Sequence, residues 1–405
     1  MKILILNNYY YPNMEGGAEY SVKLLAEALV KIGIDVNVLC MDGEPYRDVL
    51  EYETVNGVKV YRSYSKSLYR RRVIKDKAHI IDKIFNGVHS IYNYKMNCDL
   101  KKIIHIVCPD VIHTQNLVSM SYFAWKYAST KKIPVVHTLR DYWLLDPTTN
   151  IGKTPKLFEL LFRYYHRFLS NKYVDIVTSP SERTMEIFVR EEYFRSSIRK
   201  IVVNSIEFDN SLLENCLIEK CDRKNEIIRY IYAGKVTESK GIKVLINCFL
   251  KCNVNAELII CGSGDLDNWI KEKKCSRIKQ LGKLNQMELF NEYKRADVMI
   301  VPSLWEEPFG RIVIEGAQYG LPIIGSNKGG IPEIINSIKF GDIFDSDNEL
   351  ELVQLITKYS NRNYLNELYK VGPQKMGKYA LNRQVEDFFE IYEQIEKEDL
   401  SLIHI

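Results

Sequence analysis

The residues best placed to do chemistry lie in one run, Pro302 to Glu315, which reads PSLWEEPFGRIVIE. Two of its carboxylates, Glu307 and Glu315, stand one before and one inside an apolar periodic stretch. An ionised carboxylate accepts several hydrogen bonds, which suits the vicinal hydroxyls of a ribose or a hexose. Downstream, Gly329-Gly330 can let backbone N–H groups approach a phosphate at a helix N-terminus, where the dipole favours an anion. Upstream, the run Ala233 to Gly241, AGKVTESKG, places Lys235 and Lys240 between glycines, and both can reach a diphosphate. Taken singly, a Glu or a Lys is ordinarily a solvated surface residue. Two carboxylates, two lysines, Trp305, Pro308, Gly310 and a glycine turn together point instead to recognition of a phosphate and a polyol.

The elements that must position these groups are legible around them. Val298 to Val301 is an apolar run stopped by Pro302-Ser303, as a buried parallel strand would be. A loop runs to Gly310 and a helical pattern from Arg311 to Gly320. A short strand, Pro322 to Gly325, leads to the Gly329-Gly330 turn and a helix opening at Pro332. In an open parallel sheet, ligands sit beyond the carboxyl ends of the strands, so both loops face one crevice. The same alternation supplies strands at Tyr230–Ala233 and Leu258–Cys261.

In the first half, the strand Ile3–Leu6 is followed by a loop ending in Gly16-Gly17. A helix with Val22, Leu25, Ala26, Leu29 and Val30 on one face then leads to a strand at Val36–Cys40. No G-x-G-x-x-G follows the first strand, so this is not the dinucleotide fingerprint, and a plain turn before a helix accounts for the two glycines almost as well as a ligand does. Pro109–His113 and Ile133–His137 read as further strands. A strand is also expected at Lys200–Asn204, a linker within Ser205 to Lys224, and an amphipathic helix over Arg383–Ile395.

A chain of 405 residues fits two domains. Hydrophobic residues at 46% and charged residues at 27% leave no case for wholesale disorder. The balance of 56 − 52 = +4 is too small to imply nucleic acid. Residues 1–200 carry 30 basic and 21 acidic side chains, so the excess lies there and suggests an anionic surface or partner. Basic and aromatic residues interleave over Ser65–Lys77 and over Lys156–Lys172. This suits a helix lying on anionic lipid, and equally a helix with one face in the core and a solvated basic face. The nine cysteines are scattered. Cys248 and Cys252 have no second pair or neighbouring His to close a metal site, and the reading is reduced thiols in a cytoplasmic protein. Ile3–Leu6 is too short for a signal peptide, and no run reaches the ~18 apolar residues of a membrane span, so membrane contact is peripheral. Asp345-Ser346-Asp347 has a metal-binding D-x-D form, but its place before a helical segment favours capping.

The run from Glu307 to Glu315, with PS before it and EGAQYGLPII, GG and PEII after it, resembles the E-x7-E signature of retaining, nucleotide-sugar-dependent glycosyltransferases of GT-B fold, family 4 in particular. The resemblance implies an α/β chain of two Rossmann-like β/α/β domains facing each other across a cleft. Residues 1–204 would bind the acceptor and 205–380 the donor, with a helix in 381–405 returning to the first domain. It puts Glu307 on the donor sugar, Glu315 on the ribose, and Phe309, Gly310, Gly329 and Gly330 beside the donor. Gly16 and Gly17 resemble the family's GG pair, and Gly262 and Gly282 lie in stretches similar to its nucleotide loops. The usual G-R-x4-K-G becomes Gly234, Lys235 and Lys240-Gly241, which keeps the charge and loses the arginine fork. The segment Thr138 to Trp143 resembles T-L-H-D-Y-W, with Arg140 where the family has a histidine carried as a catalytic or donor-contacting group. Arginine cannot act as a base but can hold a phosphate bidentately. His137 can be recruited in its stead, although a lone histidine at a strand end is more often structural. No metal or cofactor is expected, the nucleotide sugar being a co-substrate. The implied acceptor is a saccharide or lipid-linked saccharide in bacterial surface-polysaccharide assembly. Two alternatives stand: an impaired relative serving as a binding partner of another transferase, which Arg140 motivates, and a sugar-nucleotide epimerase of the same fold.

Overall fold

The structure, a computed structural model, describes residues 1–14, 16–41, 48–64, 91–118, 120–146, 156–224 and 227–397. The basic stretch Ser65–Lys77 lies outside them. The chain divides into two units, Met1–Asn204 with Leu381–Ile405, and Ser205–Ala380.

In the first unit the inner strands are short runs buried on both faces, as helix-covered parallel sheets require, while the two edge strands, Tyr52–Val55 and Ile198–Ile201, are largely open to solvent. They are β1 (Lys2–Leu6), β2 (Asp35–Cys40), β3 (Tyr52–Val55), β4 (Val58–Arg62), β5 (Val111–Thr114), β6 (Val135–Thr138), β7 (Ile176–Ser179) and β8 (Ile198–Ile201), in the order β3-β4-β2-β1-β5-β6-β7-β8. Only β3 runs antiparallel. It forms a hairpin with β4 through Asn56-Gly57, whose φ values of 50° and 86° are those a type I′ turn needs. The chain starts at the middle of the sheet, builds one way, then returns to build the other, so the order reverses between β1 and β5. The helix Leu381–Lys397 packs on the helix Gly17–Lys31, with Val385, Phe388, Ile391 and Tyr392 joining Val22, Leu25 and Leu29 in one core. The last strand pairs Ile198–Ile201 with Ile176–Ser179, beginning before the expected Lys200–Asn204 and ending at Ile201.

The second unit is a six-stranded, wholly parallel sheet. Its strands are β9 (Ile228–Ala233), β10 (Ala256–Cys261), β11 (Ile278–Gly282), β12 (Val298–Val301), β13 (Ile323–Ser326) and β14 (Gly341–Phe344), in the order β11-β10-β9-β12-β13-β14. Its order reverses between β9 and β12. The segment expected to be a linker is mostly a helix, Asn210–Cys221. Asp209 caps it by accepting from Leu212 N (3.1 Å). Its buried Lys220 ammonium donates to the carbonyls of Tyr293 (3.3 Å), Lys294 (3.1 Å) and Ala296, which close the neighbouring helix Gln286–Arg295, where a cation opposes the dipole. The segment Asp345-Ser346-Asp347, expected to cap the next helix, does not supply its N-cap. Asn348 holds the N-cap position, and Asp345 instead accepts from Asp347 N (3.1 Å) within the turn. All nine cysteines are free thiols. Among the described residues, no helix is long and apolar enough to cross a membrane.

Candidate active site

β9 and β12 are neighbours across the reversal, so the loops at their carboxyl ends leave side by side, where ligands of such sheets bind. Leu304 N donates to Ser239 O (2.9 Å). Gly241, with φ of +74°, lies so close to Pro302 that a Cβ would sit 1.7 Å from its carbonyl oxygen. That approach brings Lys240 to Glu307, and the two form an ion pair. Ser303 Oγ donates to the same Glu307 oxygen (3.0 Å), and the Trp305 ring lies 5.6 Å from the ammonium.

The glycine turn interlocks with this loop. A Cβ on Gly329 would lie 2.0 Å from Glu307 O, so only glycine permits the approach. Glu306 Oε2 accepts from Gly329 N (2.8 Å) and Glu307 O from Gly330 N (2.8 Å). Gly330 then caps the helix Ile331–Ile338. Glu315 lies in the helix Arg311–Gln318, which Gly310 opens, and accepts from Arg311 Nε (2.7 Å). Phe309 is buried against Tyr379. Along the other side of the sheet, a Cβ on Gly262 would meet Gly234 O at 1.8 Å, and Gly262 bridges Gly282. A cavity of about 650 Å³ opens here, lined by Ser263, Asp267, Gln280 and Gly282 among others. Lys235 is exposed beside these loops, its carbonyl taken by Tyr232 OH (2.6 Å). A larger cavity, about 940 Å³, lies at the opposite, amino ends of β9 and β10, around Arg223, Arg229 and Asp297, and holds none of the residues singled out from sequence.

The sequence-derived residues of the first unit are arranged differently. Gly16 is extended (φ −163°), and its N–H donates to Glu19 Oε2 (2.9 Å), the capping geometry of the helix that Gly17 opens. His137 is buried between Trp125 and Phe194, with Nδ1 bonded to Thr114 Oγ1 (2.9 Å). Burial pushes its imidazole down to about 3, so it is neutral, in the surroundings of a core histidine.

Arg140 ends a buried chain of hydrogen bonds. Its Nε donates to Gln115 Oε1 (2.7 Å) and its Nη1 to Asn204 Oδ1. A guanidinium only donates, so the Gln115 oxygen must face it and the Gln115 NH2 must face His113 Nε2 (2.9 Å). The same Nε2 lies 2.7 Å from Thr138 Oγ1, a hydroxyl that can donate to it as the amide does. With both groups donating to Nε2, the proton of His113 sits on Nδ1, facing Tyr392 OH (2.7 Å) on the C-terminal helix.

One group on this loop went unnoticed in the sequence. Asp141 accepts from Asn116 Nδ2 and Trp143 N, each at 2.9 Å. It keeps part of its surface open, yet its dense surroundings push the carboxyl up to about 6; the Trp143 N–H opposes the rise and the Glu19 carboxylate adds to it. An aspartate in a loop gives no sequence signal of that kind, because the partners come from three strand ends.

The family described as Glycosyl transferases group 1 matches residues 218–383, and that described as Glycosyltransferase Family 4 matches residues 15–203. A protein of the cps region of Klebsiella pneumoniae, named as uncharacterised, is 28% identical over 91% of this chain and 98% of its own. An uncharacterised glycosyltransferase of Methanocaldococcus jannaschii is 29% identical over 83% of each chain. Among solved structures, sucrose-phosphate synthase from Thermosynechococcus elongatus superposes with a TM-score of 0.74 at 17% identity, covering 98% of this chain and 99% of the other. HepE of Anabaena, solved with UDP-glucose, gives 0.63 at 16% identity, covering 97% and 100%. At these identities the structures speak for the fold alone, and that fold is GT-B.

Proposed function

We propose, for a chain that belongs to the group 1 glycosyl transferases of family 4, that it is a retaining transferase moving a sugar from a UDP- or GDP-sugar to a saccharide or lipid-linked saccharide in surface-polysaccharide assembly. The observation that carries this reading is the Lys240–Glu307 pair, held against the Gly329-Gly330 turn at the carboxyl end of β12. It sets a cation and a carboxylate beside the N-terminus of the helix Ile331–Ile338. Glu307 orients the donor sugar and Glu315 the ribose. As the bond from the anomeric carbon to the diphosphate breaks, negative charge gathers on the leaving group. Lys235, Lys240 and the helix N-terminus at Gly330 stabilise it there, which is why we assign the leaving group to these cations rather than to a metal ion. The cps-region relative supports a role in polysaccharide assembly, and the UDP-glucose held by HepE supports a UDP-sugar donor. The acceptor belongs, on this reading, to the first unit.

Thermal shift against nucleotides and nucleotide sugars tests it. A ligand at 100-fold its dissociation constant adds roughly 2.7 kcal/mol to stability. No shift with any UDP or GDP compound would remove the donor assignment. A stabilising donor that is turned over without acceptor into another nucleotide sugar would replace transfer by epimerisation.

A further inference from the structure

The helix Lys156–Tyr173 has two apolar faces. Phe162, His166 and Leu169 are buried on one. Leu157, Leu160, Leu161, Tyr164 and Phe168 lie open to solvent on the other, at 70%, 63%, 59%, 64% and 49% exposed. At 3.6 residues per turn these five fall within an arc of about 100°, and at a rise of ~1.5 Å per residue the stripe runs ~17 Å. Scattered exposed leucines need no explanation, but five large apolar side chains in one stripe mark an interaction surface.

The charge around the stripe says what it fits. The helix Phe123–Thr130 packs beside it, and the helix Tyr94–Val107 packs beside that. These helices and the turn after Thr130 expose Lys101, Lys102, Lys126, Lys131, Lys156 and Lys172. Their acids are spoken for: Asp99 is buried and paired with Lys95, and Glu159 with Arg163 (2.8 Å). Arg163 and Arg167 also meet Glu191 and Glu192, so the uncompensated charge is that of the lysines. Lys101 lies over the rings of Phe123 and Tyr127 (5.4 and 5.5 Å), and Lys172 over Phe168 (5.6 Å). Ammonium groups beside apolar and aromatic surface are the arrangement of a helix at a bilayer interface, where the stem lies in the apolar layer and the charge meets a phosphate.

We propose that this three-helix face docks on an anionic lipid bilayer, with the Leu157–Phe168 stripe entering the headgroup boundary and the lysines meeting lipid phosphates. The proposal rests on the lipid-linked acceptor reading for its purpose. Its test needs neither donor nor acceptor, so the two can fail separately.

The full chain is floated with vesicles of phosphatidylglycerol and phosphatidylcholine, and with phosphatidylcholine alone. Flotation with the anionic vesicles should exceed that with neutral ones, and should weaken as salt shortens the screening length from about 10 Å at 0.1 M to 3 Å at 1 M. Leu161→Glu with Tyr164→Glu, both at exposed positions, should lower vesicle partitioning about tenfold or more while leaving the melting temperature and nucleotide binding unchanged. Equal flotation of the variant and the wild type overturns the proposal. So does equal recovery with neutral vesicles. Light scattering that finds a wild-type dimer and a monomeric variant would make the stripe a self-interface instead. Free phosphate or glycerol phosphate that releases the protein from vesicles as fully as high salt would mean a headgroup site without insertion, and would overturn the docking stripe.

Discussion

Lys240 is bonded to Glu307, 67 residues further along the chain. Each residue neutralises the other, so a donor held by both would share or exchange this bond for its own contacts. Removing Lys240 leaves Glu307 with Ser303 as its side-chain donor. Lys240→Ala should therefore lower donor turnover at least about tenfold, a charge-assisted bond being worth roughly 1.5–3 kcal/mol. The loss should fall mainly on kcat, because diphosphate charge grows as the sugar bond breaks. Lys235→Arg should stay active. Wild-type kcat in a folded Lys240→Ala protein would reduce this loop to a surface turn.

The two carboxylates separate by ligand. Glu315, bonded to Arg311, is assigned to the ribose, which bare UDP and UDP-sugar share; Glu307 is assigned to the sugar, which only the donor carries. Calorimetry should show Glu315→Ala binding UDP or GDP more weakly, and Glu307→Ala binding either as wild type does while turning over donor slowly. Unchanged nucleotide affinity in both variants would leave the ribose without a partner.

At Gly329 the prediction is steric. A methyl group there would lie 2.0 Å from Glu307 O and 2.3 Å from Glu307 N, on a residue whose φ is +59°. Gly329→Ala must push the two loops apart or unfold the turn. It should cost about 1–3 kcal/mol of stability and most donor binding. A crystal structure of the variant with Glu307 unmoved would refute the interlock.

Much of this site is legible because chain reversals are written in proline and glycine. Pro302 and Gly310 bound one loop, and Gly234 and Gly241 another, so strand ends and ligand loops can be placed before any contact is known. The Lys240–Glu307 bond cannot, since it depends on the approach of Gly241 to Pro302. The same holds for Arg140: its role follows from Gln115 and Asn204, which only the sheet brings beside it. Asn210–Cys221, inside the expected linker, is a helix that buries only Leu213 and Cys216 beside Lys220 and leaves Ile218 to solvent. The Asn56-Gly57 hairpin carries a plain sequence signal, an NG pair between the runs Tyr52–Val55 and Val58–Arg62.

Acid should weaken the first unit before it protonates ordinary carboxylates. His113, His137 and His166 are all pushed down by burial, His137 to about 3 and His166 to about 4, against about 6.5 when unfolded. A lowered histidine pKa means the unfolded chain binds the proton first, so stability is lost as pH falls below 6.5. Asp141 works the other way: raised to about 6, it takes its proton in the folded state first, and its contribution grows as pH falls from 6 towards 4. Three protons against one leave about two, or ~2.7 kcal/mol per pH unit near pH 5. Trp125 and Trp143 report on this unit once Trp269 and Trp305 are replaced by Phe. Urea unfolding followed by their fluorescence should show that slope, and a flat profile from pH 6.5 to 5 would contradict the buried neutral histidines.

The chain Arg140–Gln115–His113–Tyr392 makes the last prediction. Arg140 turns the Gln115 NH2 towards His113 Nε2, which puts the His113 proton on Nδ1, donating a hydrogen bond to Tyr392 OH. Tyr392→Phe removes that acceptor and leaves a buried donor unpaired, at a cost of about 1–3 kcal/mol. Phe388 and Ile391 keep the C-terminal helix in the core, so the helix should loosen without detaching. Nitrogen NMR of the His113 ring should show a protonated Nδ1 and an unprotonated Nε2 in the wild type. Arg140→Met frees the amide to turn over and present its oxygen to His113, which favours the opposite tautomer. An Nε2-protonated ring in the wild type, donating to Thr138 Oγ1 instead, would break the argument at its first step.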